Sequence, residues 1–259
     1  DEGILAFKEH GRIGSDSTSL FVRDAYMIKN TPSDVDNNAN FTLETFIRFT
    51  SFPVDGVPFI FIGNELSVSI FPAGGFGELQ MQINGNEFTG GMITDTSWHH
   101  IALTTDGSST MLWLDGITTV SGPESFSVNS KHLQFGNSAT TSISLNIDEV
   151  RLSNTERYTT GFIPTSDFGV DVNTLGYWRF NEGSHDEVSP TIYDQSGNGL
   201  HLQIEHDESG IVAWQNDVPQ RTDTENALVI NEIMQNPSAV SDPLGEWVEI
   251  QNRWFTPIH

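Results

Sequence analysis

The chain has 259 residues, enough for one large β domain or two ordinary ones, and enough to bury a core without covalent staples. It contains no cysteine, which excludes disulfides, thiolate metal sites and cysteine nucleophiles. With 11 basic against 35 acidic side chains, its formal charge of −24 disfavours nucleic acid and anionic membrane surfaces, and no apolar run reaches the roughly 20 residues that span a bilayer.

No basic-then-apolar segment opens the chain, so Asp1 reads as a mature or trimmed terminus. In DVDNNAN, residues 34–40, Asp34, Asp36, Asn38 and Asn40 alternate as in a calcium loop. Ala39 stands where such a loop needs glycine and Thr45 where it needs glutamate, so a plain surface loop is expected. FTLETFIRF (41–49) then puts Phe41, Leu43, Ile47 and Phe49 on one face and Thr42, Glu44 and Arg48 on the other, the pattern of a half-buried strand.

PFIFIG (58–63), ELSVSIF (65–71) and ELQMQI (78–83) read as a meander, with Asn64 and Asn84-Gly85 at tight reversals. WHHIALTTDGSSTMLWLDGITTV (98–120) gives three more strands hinged at Asp106-Gly107 and Asp115-Gly116. Trp98, His100 and Ala102 alternate there with His99, Ile101 and Leu103. Later come KHLQFGN, SLNIDEVRLS, a plausible helical turn in SNTERYTTGF, LGYWRFNEG (175–183), DQSGNGLHLQI and IVAW. Many short alternating runs with turn chemistry between them predict an all-β chain, a two-sheet antiparallel β-sandwich or jelly roll.

The strand IDEVRLSN (147–154) carries a carboxylate where an apolar residue is expected. Strict alternation sets Asp148 on one face with Val150 and Leu152, and Ile147, Glu149 and Arg151 on the other. A carboxylate at the edge of a core needs hydrogen bonds, a cation or a metal.

Five of these pieces in register, NFTLETFIRF, WHHIALTTDG with LWLDG, NIDEVRLSNTERYTTGF, LGYWRFNEG and YDQSGNGLHL, resemble the laminin-G-like, concanavalin A-like jelly-roll domains of bacterial surface and secreted proteins. The resemblance covers roughly 19–205, with Thr45-Phe46 departing from the usual aromatic-tryptophan pair. After Trp214 the composition shifts to QNDVPQRTDTEN, and LVINEIMQNP…GEWVEIQN is similar to the opening strands of a lamin-tail-type domain over 228–252. The expected organisation is a laminin-G-like domain at 1–215, a linker at 216–227 and an incomplete lamin-tail-like segment at 228–259, a fragment of a longer multidomain protein.

The resemblance implies a non-catalytic extracellular binding or adhesion module, secreted or at a bacterial cell surface, that recognises carbohydrate or a protein partner. It also implies a structural calcium at the rim. The alternatives are a structural spacer or assembly subunit without a sugar site and, less favoured, a glycoside hydrolase. If YWRFNEG pairs antiparallel with IDEVRLS, as the related strands do, Glu182 approaches Asp148, and the DQSGNG turn brings Asp194 and Asn198 nearby as calcium ligands. The competing reading has Asp148 and Asp194 bonded to turn amides.

Other chemistry finds little support in the residue pattern. His99 and His100 lie on opposite strand faces and no HExxH occurs, so zinc is not expected, and His100 reads as an inward, hydrogen-bonded histidine. No E-x-D-x-x-E run or GxSxG turn is present, and Glu246 and Glu249 fall on opposite faces, so no enzyme is expected. Phe52, Phe71, Phe76, Trp113 and Phe126, near loops or strand ends, divide between core and possible sugar-stacking roles.

Overall fold

The structure is a computed structural model that describes residues 18–29, 40–123, 132–137, 143–165, 167–182, 191–219, 228–234 and 247–252. Alternation along the chain produces strands β1 (Ser19–Lys29), β2 (Phe41–Ser51), β3 (Val57–Ile62), β4 (Leu66–Ala73), β5 (Phe76–Ile83), β6 (Asn86–Ile93) and β7 (His99–Thr105). It continues through β8 (Thr110–Leu114), β9 (Ile117–Gly122), β10 (Leu133–Asn137), β11 (Ser144–Ser153), β12 (Thr174–Trp178), β13 (Thr191–Ile192) and β14 (Leu202–Gln215). All belong to one antiparallel sheet whose main path is β6-β5-β4-β3-β10-β1-β11-β2-β7-β8-β9.

The two layers of the sandwich are therefore two arms of one continuous, strongly curved sheet. Ile60, Val68 and Met81 of one arm and Ile47, Ile101 and Leu112 of the other share a single buried core. β1 joins the arms: Leu20–Arg23 pair with β11, Ala25–Lys29 with β10, and a register shift falls between them at Asp24, where φ is 52°. A bulge of this kind bends a strand from one layer into the next. At the far ends of the path, a Cβ on Gly90 of β6 would stand 2.8 Å from the Thr119 carbonyl oxygen of β9, so the two edges nearly meet.

The tight turns follow the expected chemistry. Asn84 and Gly85 (φ 49° and 87°) and Asp115 and Gly116 (φ 52° and 76°) each place two consecutive residues at positive φ, as a two-residue hairpin turn requires. At the longer β7–β8 reversal, Asp106 Oδ1 accepts the Ser108 and Ser109 amides at 2.8 Å each.

Four differences from the sequence reading have local causes. β1 escapes simple alternation because Arg23-Asp24 breaks the pattern at the bulge. DQSGNGLHLQI and IVAW do not form separate strands, because β14 is one 14-residue strand lying along the whole of β1. SNTERYTTGF forms no helical turn; its side chains are spent on contacts with the sheet, described below. β2, expected to be half buried, is buried on both faces along most of its length, because residues 154–165 and 167–173 cover its second face.

Residues Asp1–Gln220 form one compact unit and Arg221–His259 another. The expected linker starts at 216, yet Asp217 is held to the sheet: its carboxylate pairs with Arg48 and accepts the Trp98 indole N–H at 3.2 Å, and its carbonyl accepts the Ser19 hydroxyl. In the second unit, β15 (Leu228–Met234) and β16 (Trp247–Asn252) form an antiparallel pair that contains Val229 and Trp247. Asp34, Asp36, Asn38, Phe126 and Glu246 lie outside the described residues.

Candidate functional site

The strand IDEVRLSN becomes β11, and its pairing with β12 is antiparallel as anticipated, with Val150 opposite Trp178 and Arg151 opposite Tyr177. Its face assignment differs. Along β2 the register runs Ile147 with Ile47 and Asp148 with Phe46, then jumps to Arg151 with Glu44, so β11 carries one extra residue at a bulge where Glu149 has φ 47°. The extra residue resets the alternation: Asp148 lies on the Phe46 and Glu44 face, away from Val150 and Leu152 in the main core. The bulge sits where β1 gives way to β12 along β11, and Asp148 Oδ1 accepts the Glu149 amide there at 2.9 Å. Thr45 adds a hydroxyl bond of 3.1 Å to the Asp148 carbonyl. Asp148 thus braces the bulge.

The second face of β2 and β11 holds a buried ionic layer. Glu44, 0% exposed, accepts Arg151 Nε at 2.8 Å and Nη2 at 2.6 Å on Oε1, and the Tyr158 hydroxyl at 2.6 Å on Oε2, with His100 Nε2 3.3 Å away. Burial raises the Glu44 pKa, but the His100 hydrogen bond and the Arg151 charge outweigh it and hold the carboxyl below its usual value. A neighbouring pair repeats the logic: Glu149 accepts the Tyr177 hydroxyl and, at 3.0 Å, Arg179 Nε. His100, expected to be inward and hydrogen-bonded, is buried in this layer.

Residues 154–165 and 167–173 seal the layer. Tyr158 stacks on Phe162 with ring centroids 3.5 Å apart, Phe162 and Phe168 meet the His100 ring edge-on, and the Phe168 carbonyl accepts Arg151 Nη1. Arg157 ties the segment down through Ser153 Oγ at 2.6 Å and both oxygens of Asp171 at 2.9 and 2.7 Å. The Gly116 turn meets it too: the Phe162 amide donates to the Gly116 carbonyl at 3.0 Å, and a Cβ on Gly116 would overlap the Phe162 carbonyl.

The DQSGNG turn is equally committed. Asp194 Oδ1 accepts the Tyr177 and Ser196 amides at 3.0 and 2.8 Å, and Oδ2 accepts the Ser196 hydroxyl and the Leu200 amide at 2.8 and 2.9 Å. Burial raises its pKa, but these bonds prevail and lower it. Asn198 turns its amide nitrogen to the Thr174 and Leu175 carbonyls at 3.1 and 3.0 Å. Glu182 Oε1 accepts the Tyr193 amide at 2.9 Å, while its other oxygen is buried with no hydrogen-bond partner among the described residues and burial pushes its pKa up. Tyr193, 50% exposed, packs its ring against His201, whose Nδ1 accepts the Asp194 amide at 3.0 Å.

The structure does not gather the expected calcium ligands Asp148, Glu182, Asp194 and Asn198 into one cluster of described carboxylates. Two N–H or O–H donors crowd each Asp194 oxygen, and a donor hydrogen occupies the lone pair that a cation needs. Among the described residues, no three His, Asp or Glu side chains are placed to hold a metal ion.

The remaining histidine and aromatic candidates lie elsewhere. His99 bridges two carboxylates, with Nδ1 2.8 Å from Asp115 and Nε2 3.3 Å from Asp95. Of the aromatics considered for sugar stacking, Trp113 is buried with its indole N–H on Thr104, Phe52 and Phe71 are partly buried, and Phe76 is 43% exposed. Tyr193 is an exposed aromatic that directly follows β13, a strand too short to show alternation.

Residues 23–160 match the family Laminin_G_3, described as the concanavalin A-like lectin/glucanases superfamily. The chain belongs to this family. Among solved structures, this concanavalin A-like chain is similar to a protein from Bacteroides ovatus provisionally assigned as a carbohydrate-binding protein, at 16% identity and TM-score 0.54 over 79% of this chain and 61% of that one. It therefore spans less than two thirds of that relative, and the likeness is one of fold. Looser likenesses are to the heptameric SAP-like pentraxin of Limulus polyphemus (10% identity, TM-score 0.42, 76% of this chain and 95% of that one) and the binding domain of botulinum neurotoxin DC in complex with SialylT (15%, 0.42, 53% and 39%). No curated protein sequence matches the chain. Nothing in the comparisons supports the lamin-tail resemblance over 228–252.

Proposed function

We propose that this concanavalin A-like domain is a non-catalytic glycan-binding module of a larger protein. The family contains lectins and glucanases, and one observation favours the lectin side. The carboxylates of β2 and β11 are all buried: Glu44 and Glu149 are paired with arginine, Arg151 and Arg179, and Asp148 accepts the Glu149 amide at the bulge. A glycosidase acid needs a raised pKa and contact with the leaving oxygen. Glu44 has a lowered pKa and no exposed surface, so it serves neither role.

The provisional carbohydrate-binding assignment of the Bacteroides ovatus relative agrees with this reading without carrying it. A second reading, a protein-binding or assembly module, draws on the exposed Ile117 and Ile163, which flank the contact between Gly116 and Phe162. The test is a glycan-array screen of the intact chain together with a turnover assay on the glycans retained. Retention without cleavage supports the proposal; cleavage of a bound glycan overturns it, and retention of nothing moves the assignment to assembly.

A further inference from the structure

The arm that ends in β6 turns one register inward and the other to solvent. Phe135, Ile60, Val68 and Met81 pair across β10, β3, β4 and β5 within the core. The alternate register pairs Gln134 with Phe61, Phe61 with Ser67, Ser67 with Gln82 and Gln82 with Glu87, a row crossing five strands on the outer face. The next row sets Gln80 beside Thr89, and Gln80 Nε2 lies 3.4 Å from both Thr89 Oγ1 and Glu87 Oε2. Beyond it stand Phe71 and the 43% exposed Phe76; Phe71 is held on one side by the backbone at Gly56, where a Cβ would overlap its ring.

This face combines side-chain amides, which both donate and accept, with partly exposed aromatic rings at its edge and middle. Sugars present the matching chemistry, hydroxyl rims and apolar C–H faces. Its charge narrows the class. No lysine or arginine occurs between Arg48 and Lys131, so β3 to β6 carry none, and β10 has none either. Lys29 on β1 pairs with Leu133, in the register opposite to that of Gln134. Among the described residues of these strands, the charges on the face are those of Glu78 and Glu87, which would repel a carboxylate, sulfate or sialic acid.

We propose that the outer face of β3–β6 and β10 binds an uncharged glycan chain, with Phe61, Phe71 and Phe76 stacking on sugar rings and Gln80, Gln82 and Gln134 bonding to hydroxyls. The inference rests on the glycan-binding reading above and adds the site and the charge class. The test measures binding of the intact chain to soluble neutral polysaccharides (a β-glucan, a galactan, a mannan) and to anionic ones (a polyuronate, a sulfated galactan, a sialylated glycan). The variants are Phe76→Ala, Gln82→Ala, Gln82→Glu and Tyr193→Ala, each checked for an unchanged melting temperature.

The expected result is binding to a neutral polysaccharide that falls about tenfold or more in Phe76→Ala and Gln82→Ala and persists in Tyr193→Ala. Preference for the anionic set, or neutral binding lost only in Tyr193→Ala, overturns the site and leaves the glycan-binding reading standing. Binding to no glycan overturns both. Self-association abolished by Phe76→Ala would make this face a contact between copies of the chain, and overturns the proposal as well.

Discussion

Arg151 donates through Nε and Nη2 to a single oxygen of Glu44, its direct cross-strand partner on β2, 107 residues away in sequence. Both side chains are essentially removed from water. Breaking such a pair from one side strands a buried charge, which costs about 3–5 kcal/mol, whereas an exposed pair is worth about 1 kcal/mol or less. Arg151→Met is therefore expected to lower unfolding stability by the larger amount in urea denaturation. A loss under about 1 kcal/mol would show that water reaches the pair.

Tyr158 tests the cover over that pair. Tyr158→Phe keeps the ring against Phe162 and removes only the hydroxyl bond to Glu44 Oε2. A hydrogen bond to a charged group contributes about 1.5–3 kcal/mol, and a loss in that range is expected. Limited proteolysis should quicken within residues 154–173 before the sheet itself opens. Unchanged cleavage there would mean that Arg157, with its bonds to Ser153 and Asp171, holds the segment without help from Tyr158.

The core of this arrangement is legible in the sequence, and its cover is not. Phe41, Leu43, Ile47 and Phe49 alternate because one face of β2 meets the main core, and Asn84-Gly85 and Asp115-Gly116 mark turns because positive φ selects those residues. The bulge at Asp148 and Glu149 is a mismatch in count between two strands a hundred residues apart, which neither strand reveals alone. The same holds for Glu44. Its polarity suggests a solvated face, and only the return of Tyr158, Phe162 and Phe168 over β2 buries it. The calcium expectation at Asp194 rested on the family resemblance and an assumed strand pairing, and neither reveals that turn amides bond to both of its oxygens.

Glu44 and His99 act on opposite limbs of the pH profile of stability. The folded pKa of Glu44 lies below its usual value of 4.5, so its contribution is complete above that pH and is lost as pH falls through the folded value. His99 behaves inversely. Burial lowers its pKa, but Asp115 and Asp95 more than offset this and raise it above 6.5, so its contribution is complete below 6.5 and is lost as pH rises through the folded value. His99→Gln should flatten the alkaline side of the profile between pH 6 and 8, roughly the range over which histidine titrates. An alkaline slope that survives the substitution would assign it to another group.

Asp194 separates a calcium ligand from a turn brace. Its four accepted bonds join β12, through the Tyr177 amide, to the Ser196 and Leu200 positions of the following turn. Asp194→Asn keeps the shape but replaces one acceptor oxygen with an NH2 group, which must face donors on either side. Each buried donor left unpaired costs about 1–3 kcal/mol, so the variant should be destabilised by at least that much. A brace makes this loss independent of calcium, and the wild-type melting temperature should be the same in calcium and in chelator. A ligand behaves differently: calcium would raise the wild-type midpoint by mass action and leave Asp194→Asn unmoved. The second pattern would place a cation at the turn and require the Asp194 donors to rearrange when it binds.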